Sequence, residues 1–187
     1  KGWNPVADVV AGEVITRGRA VTIGGGAFSP DAVHAVVVSG AGSAPVGRDR
    51  SGQLVIDTTD LAPGRHQVVV DGVPSGEDAR REFRTEFVVI DTPAPLSGEH
   101  LVTHGVRIRI GELQVDRLPF VPNTEGRFID AFKAIRRKDG APVGLAFDQD
   151  GRPADLDREF AALGKRRAER YGRVEPALAE RLGDGGK

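Results

Sequence analysis

The sequence predicts a mainly β protein. An antiparallel β-sandwich is expected over residues 1–91 and a smaller α+β part, a hairpin plus helices, over residues 99–187. Three observations predict this. Short β-branched runs separated by Gly and Pro turn signals recur roughly every 10 to 15 residues through the first half. A proline-rich break follows, Asp91-Thr-Pro-Ala-Pro-Leu-Ser-Gly98. Beyond it, apolar residues begin to recur at the helical period.

Composition narrows the function classes. With 187 residues, one or two domains are expected. The 26 basic and 27 acidic residues nearly cancel, so no net field draws nucleic acid or an anionic membrane. The longest apolar runs are about five residues, far short of the ~20 that span a bilayer. Cysteine is absent, which excludes disulfides, Fe–S clusters, thiolate-bound zinc and thiol nucleophiles together. Methionine is also absent, an initiator included, so the chain is expected to be a processed or trimmed piece of a longer one.

The first half centres on residues 54–72. Two β-branched runs, Leu54–Ile56 and Gln67–Val70, flank Leu61-Ala-Pro-Gly64. Pro63 pre-sets its φ and Gly64 accepts a positive one, so a tight corner joins two strands. Before it, Val6–Ile15 reads as one strand and Arg19–Ile23 as the next. Gly24-Gly-Gly-Ala-Phe-Ser-Pro30 is a loop that turns Phe28 into the core. A phosphate cradle is disfavoured there, because no Lys-Ser/Thr follows the glycines. Val33–Ser39 is nearly all apolar and suits a sheet centre, and Gly40–Ser51 reads as a connection. Glu82–Ile90 alternates, with Phe83, Thr85, Phe87 and Val89 on one face and Arg84, Glu86 and Val88 on the other. Roughly seven strands in this span is the pattern of an immunoglobulin-like sandwich.

Two segments carry a resemblance. Val9-Val-Ala-Gly-Glu-Val-Ile-Thr-Arg-Gly-Arg-Ala-Val-Thr-Ile-Gly-Gly-Gly-Ala-Phe-Ser29 resembles the opening of bacterial IPT/TIG-type Ig-like domains. Leu61-Ala-Pro-Gly-Arg-His-Gln-Val-Val-Val70 resembles their L-x-P-G-x-Y-x-V-x-V segment, with His66 where an aromatic, often Tyr, is usual. The resemblance covers residues 5–91. It implies a non-catalytic spacer, adhesion or docking module of an exported bacterial protein, extracellular or at the cell surface. The charged run Gly76-Glu-Asp-Ala-Arg-Arg81 departs from the pattern.

Residues 92–98 are expected to be the linker. After them, Gly105–Ile110 and Leu113–Arg117 flank Gly111-Glu112, which suits a type II′ hairpin turn. That register sets Ile108 against Val115 and Arg107 against Asp116. Residues 123–138 favour a helix, because Phe128, Ala131, Phe132 and Ile135 fall at i, i+3, i+4, i+7. The alternative is a hairpin turning at Asp139-Gly140, with Val143–Phe147 as its second strand. Asp148–Glu159 is rich in carboxylates. Its glycine is misplaced for a calcium loop, so an Asp-Gly turn and an Asp155 helix cap are favoured over calcium. Leu156–Tyr171 then reads as a helix with Leu156, Phe160, Leu163 and Ala168 inward, and Val174–Leu182 as a second.

A second resemblance lies here. Leu145-Ala-Phe-Asp-Gln-Asp-Gly-Arg-Pro-Ala-Asp-Leu156 and Arg166-Arg-Ala-Glu-Arg-Tyr-Gly-Arg-Val-Glu-Pro-Ala-Leu-Ala-Glu-Arg-Leu182 resemble segments preceding the catalytic domain of some secreted subtilisin-like serine peptidases. That implies a pro-region or accessory fragment, acting as folding aid or inhibitor.

No catalytic constellation is expected, no metal site and no cofactor. His100 and His104 have metal-like spacing only on a helix; along a strand they stand about 13 Å apart. No serine joins a His-Asp pair in a known motif. Arg136-Arg-Lys138 and Lys165-Arg-Arg167 lie among acids and few aromatics, so solvated faces are favoured over nucleic-acid binding. The lone Trp3 either packs on the sandwich or docks a partner. Trp3, Val6 and Val10 are the candidate binding residues, and the expected partner is protein: another copy, as in a filament, or the rest of a larger exported chain. In that reading the Val6–Val10 strand completes a neighbour's sheet.

Overall fold

A computed structural model describes residues 3–25, 28–40, 42, 44–74, 76–91, 96–110 and 127–171. The chain is mainly β, with two sheets and one α-helix among these residues. The four-stranded sheet has the order β1-β3-β6-β5: Val6–Ala7, Val21–Gly24, Leu54–Ile56 and Val46–Arg48. Facing it are β2 (Glu13–Thr16), β8 (Arg81–Ile90), β7 (Gly64–Gly72) and β4 (Val33–Ser39) of the seven-stranded sheet. This order and facing match the A-B-E-D and C-F-G arrangement of immunoglobulin-type sandwiches, with β2 added parallel to β8.

Alternation builds the core between the sheets. Ile23 and Ile56 from one sheet meet Ile15, Val68, Phe87 and Val89 from the other, all fully buried. Phe28 turns inward as its loop predicts. The 54–72 corner carries the chain from one sheet to the other, and Gly64 takes φ +125° there.

The remaining strands continue the larger sheet in the order β11-β10-β9-β2. These are β9 (His100–Ile110), β10 (Arg127–Arg136) and β11 (Pro142–Asp148). β9 joins β2 at Glu13↔Leu101. A second core forms on the other face of the sheet: Val14, Val88 and Ile90 pack with Val102, Phe132 and Phe147. The three-strand meander thereby covers the outer side of β2 and β8, and Val88, on the face expected to be the outer one, is fully buried. Helix α1 (Leu156–Tyr171) follows β11 and contacts β9.

Several expectations are corrected. The single strand Val6–Ile15 is two strands in different sheets. Gly12 makes the crossing, at φ +82° with the Val102 carbonyl so close that a Cβ would stand 2.1 Å from it. The connection 40–51 contains β5. Val33–Ser39 is an edge strand, not a sheet centre, because among the described residues only β7 pairs with it. The helix expected over 123–138 is instead strand β10 through Arg136, paired with β9 on one side and β11 on the other; positions 123–126 lie outside the described residues. The alternative hairpin is the one formed, with Asp139 Oδ1 accepting from the Ala141 amide at 3.1 Å in its turn. Apolar spacing of i, i+4 also fits two same-side positions on a strand, and ladder bonds on both edges outweigh local helix propensity. Arg107 pairs with Asp130; Asp116, its expected partner, lies outside the described residues. Leu113–Arg117, the second helix and residues 92–95 of the linker lie outside the described residues. The Leu156–Tyr171 helix has the expected bounds, but Phe160, placed inward by the sequence, is 47% exposed, and Ala168 is exposed too; among its described side chains, Leu163 is the buried one.

Candidate functional site

The structure separates the three residues proposed to bind. Trp3 packs on the first core, edge-on to Phe28 at 5.4 Å and so tightly over Gly72 that a Cβ there would stand 2.7 Å from its ring. Its indole Nε1 is buried and without a hydrogen-bond partner. Val6 and Val10 remain outside, 57% and 51% exposed. Val6 sits on the short edge strand β1, opposite Gly24. Val10 lies in the crossing to β2, its amide donating to Glu13 Oε2 at 3.0 Å.

Glu13 is the most connected buried carboxylate, and sequence reasoning missed it. Its Oε1 accepts from Arg19 Nη1 at 2.9 Å, and Oε2 faces Arg137 Nη2 at 3.4 Å. A residue of the sandwich and one from the second half thus converge on one acid beside the β2–β9 seam. The signal was present: a glutamate heading the apolar run Val14–Ile15 must find cationic partners when that run is buried. A second ion pair belongs to the meander alone. Arg107 grips Asp130 with two bonds, Nε to Oδ1 at 2.7 Å and Nη2 to Oδ2 at 2.9 Å, while its guanidinium lies 5.9 Å from the Phe128 ring centre. The bidentate bond to Asp130 raises the Arg107 pKa further.

The histidines do not converge. His100 is buried and His104 exposed on β9, and His34 is exposed on β4. His66 is 1% exposed, stacked on Phe87 at 6.0 Å. Its Nε2 bonds the Ala62 carbonyl at 2.7 Å, and since a carbonyl only accepts, Nε2 carries the proton. This imidazole makes the bond back to the upstream backbone that a tyrosine makes at the same corner of immunoglobulin sandwiches. Burial lowers its pKa, with the Ala62 carbonyl opposing.

The acidic stretch after β11 spends its carboxylates on backbone. Asp148 Oδ1 accepts from the Asp150 and Arg152 amides, both at 2.9 Å, and Asp155 Oδ1 caps α1 through the Arg158 amide at 3.1 Å. These are the turn and cap that the sequence favours. Among the described residues no group of three or more His, Asp or Glu could hold a metal ion, and no helix is long and apolar enough to cross a membrane.

What the surface offers instead is backbone at sheet edges. Among the described residues four strands have one side without a partner strand: β1 and β5 in the smaller sheet, β4 and β11 in the larger. Such edges present N–H and C=O groups to any extended chain. The sequence matches no protein-family model and no curated protein.

Proposed function

We propose that this chain is a non-catalytic structural or protein-binding module of an exported bacterial protein, working through strand edges and exposed loops at the cell surface or beyond it. Its extreme form is a subunit that assembles with copies of itself. The observation that carries the reading is an immunoglobulin-ordered sandwich that leaves apolar side chains exposed at its edges, Val6 at 57% and Val37 at 55%. The resemblance of segments within residues 5–91 to IPT/TIG-type domains supports it.

The alternative is a pro-region or accessory fragment of a secreted subtilisin-like peptidase. One observation favours it: Phe160 stands 47% exposed on the helix that joins the two peptidase-like segments, a position an enzyme surface would cover.

Three measurements test the proposal, and the last of them separates the two readings. Light scattering across a concentration series is expected to show assembly of the full chain, and an activity screen is expected to show no turnover. Stoichiometric nanomolar inhibition of a subtilisin, abolished by Phe160→Asp, overturns the module in favour of the alternative. Truncating residues 1–12 is a poor test, because Trp3, Ala7 and Val9 pack on the core. Val6→Lys with Val10→Lys charges the same edge and leaves those contacts in place.

A further inference from the structure

The four edges are not alike. β1 is two residues long, preceded by Pro5 and followed by Asp8. β5 is three residues long, preceded by Pro45 and ending in Arg48. β11 starts at Pro142, and its far end is covered: the Asp148 amide donates to the Arg152 carbonyl and the Ala154 amide to the Ala146 carbonyl, both at 2.8 Å. Short length, proline, charge and cover are the devices by which sheet proteins protect an edge from pairing. β4 has the weakest protection. It runs seven residues, Val33-His-Ala-Val-Val-Val-Ser39, with no Pro, Lys, Arg, Asp or Glu, and among the described residues only β7 pairs with it. A register shift between Val33 and Ala35 takes His34 out of the ladder, which leaves Ala35–Ser39 as a regular, uncharged edge.

From this we infer that the β4 edge docks the β4 edge of a second copy, antiparallel about a two-fold axis at Val37, joining two seven-stranded sheets into one. The inference rests on the module reading above and names its partner. The stretch is self-complementary about that axis. Val37 meets Val37, Val36 meets Val38, and Ala35 meets Ser39, so no like charges oppose and β-branched side chains pair across the seam. Val37, now 55% exposed, would be covered. Val36 and Val38 already lean on the first core, so the second copy would extend an ordered surface. Charges beside the edge are matched before docking: Asp71, opposite Ala35 on β7, pairs with Arg80 at 3.2 Å, and Arg48 of β5 donates to Asp31, just ahead of β4. A short seam of this kind belongs with weak interfaces, with a Kd of about 1–100 µM.

The test is sedimentation equilibrium of the full chain over that range, with two charged variants. Wild type is expected to move from one chain mass to two. Val37→Lys sets two ammonium groups against each other at the axis and is expected to remain monomeric, with unchanged circular dichroism and thermal midpoint. Val6→Lys/Val10→Lys is expected to dimerise like wild type. Since the chain has no cysteine, a spin label on Ala35→Cys reads the seam directly and is expected to report a short distance between copies. A monomeric wild type overturns the inference. So does a dimer that survives Val37→Lys, or a label-to-label distance too long for adjacent strands. If instead Val6→Lys/Val10→Lys abolishes assembly and Val37→Lys does not, the β4 seam fails while the module reading stands on the other edge.

Discussion

Phe87 and Phe132 sit in two cores of different construction. Phe87 lies between two sheets, surrounded by side chains such as Ile15, Val68 and Val89 that are wholly removed from solvent. Phe132 lies between the outer face of that sandwich and the meander, 6% exposed, with half-buried Val143 and Leu145 beside it. The first core draws both its walls from residues before 91. The second borrows one wall, Val14, Val88 and Ile90, from the sandwich. A strand face buried on both sides, as β8 is at Val88 and Val89, ties the outer layer to the inner one. The dependence runs outward: the meander needs the sandwich more than the sandwich needs the meander.

The sharpest test compares the two phenylalanines. Phe87→Ala leaves a void that packed sheets cannot close, and about 5 kcal/mol of stability is expected to be lost in denaturant titrations; Phe132→Ala is expected to cost about 3 kcal/mol. Hydrogen exchange should show protection lost throughout in the first variant and mainly in β9–β11 in the second. Equal loss in both regions for both variants would break the comparison. The seam itself is next. Gly12→Ala adds a Cβ against the Val102 carbonyl at positive φ, and about 2–3 kcal/mol is expected to be lost, with β9 amides exchanging before those of β3 and β6.

The third test titrates the corner of the inner core. His66 is held neutral by burial, so its folded pKa lies below the ordinary 6.5 of the unfolded chain. Between those two values the unfolded state binds more protons, so stability rises with pH. The contribution is complete above about pH 6.5 and is lost as pH falls toward the lowered folded value. Chemical denaturation at pH 7.5 and 5 should show this fall, and His66→Phe should flatten it. An unchanged slope in the variant would assign the acid sensitivity to other groups. The smallest effect belongs to the outermost element: Asp155→Ala removes the α1 cap and should cost about 1 kcal/mol, seen as reduced helical circular dichroism with the sheet signal intact.

Local chemistry was enough for much of this chain. A positive φ at Gly64 follows from Pro63-Gly64, the inward set Phe83, Thr85, Phe87 and Val89 from period-two alternation, and the α1 bounds from Asp155 and helical spacing. Those features depend on residues a few positions apart, so the sequence by itself determined them. Tertiary structure alone decided the rest. Residues 127–136 carry a pattern compatible with helix or strand, and neighbours on both sides made it a strand. Val88 and Ile90 look like an outer face until a layer from beyond residue 100 covers them. The candidate edges were equally illegible beforehand. Val33–Ser39 reads as a sheet centre because its composition is apolar, yet its burial depends on whether another strand lies beside it. Pairing partners are chosen by contacts distant in sequence, whose free energy outweighs local preference and leaves no periodic trace in either strand.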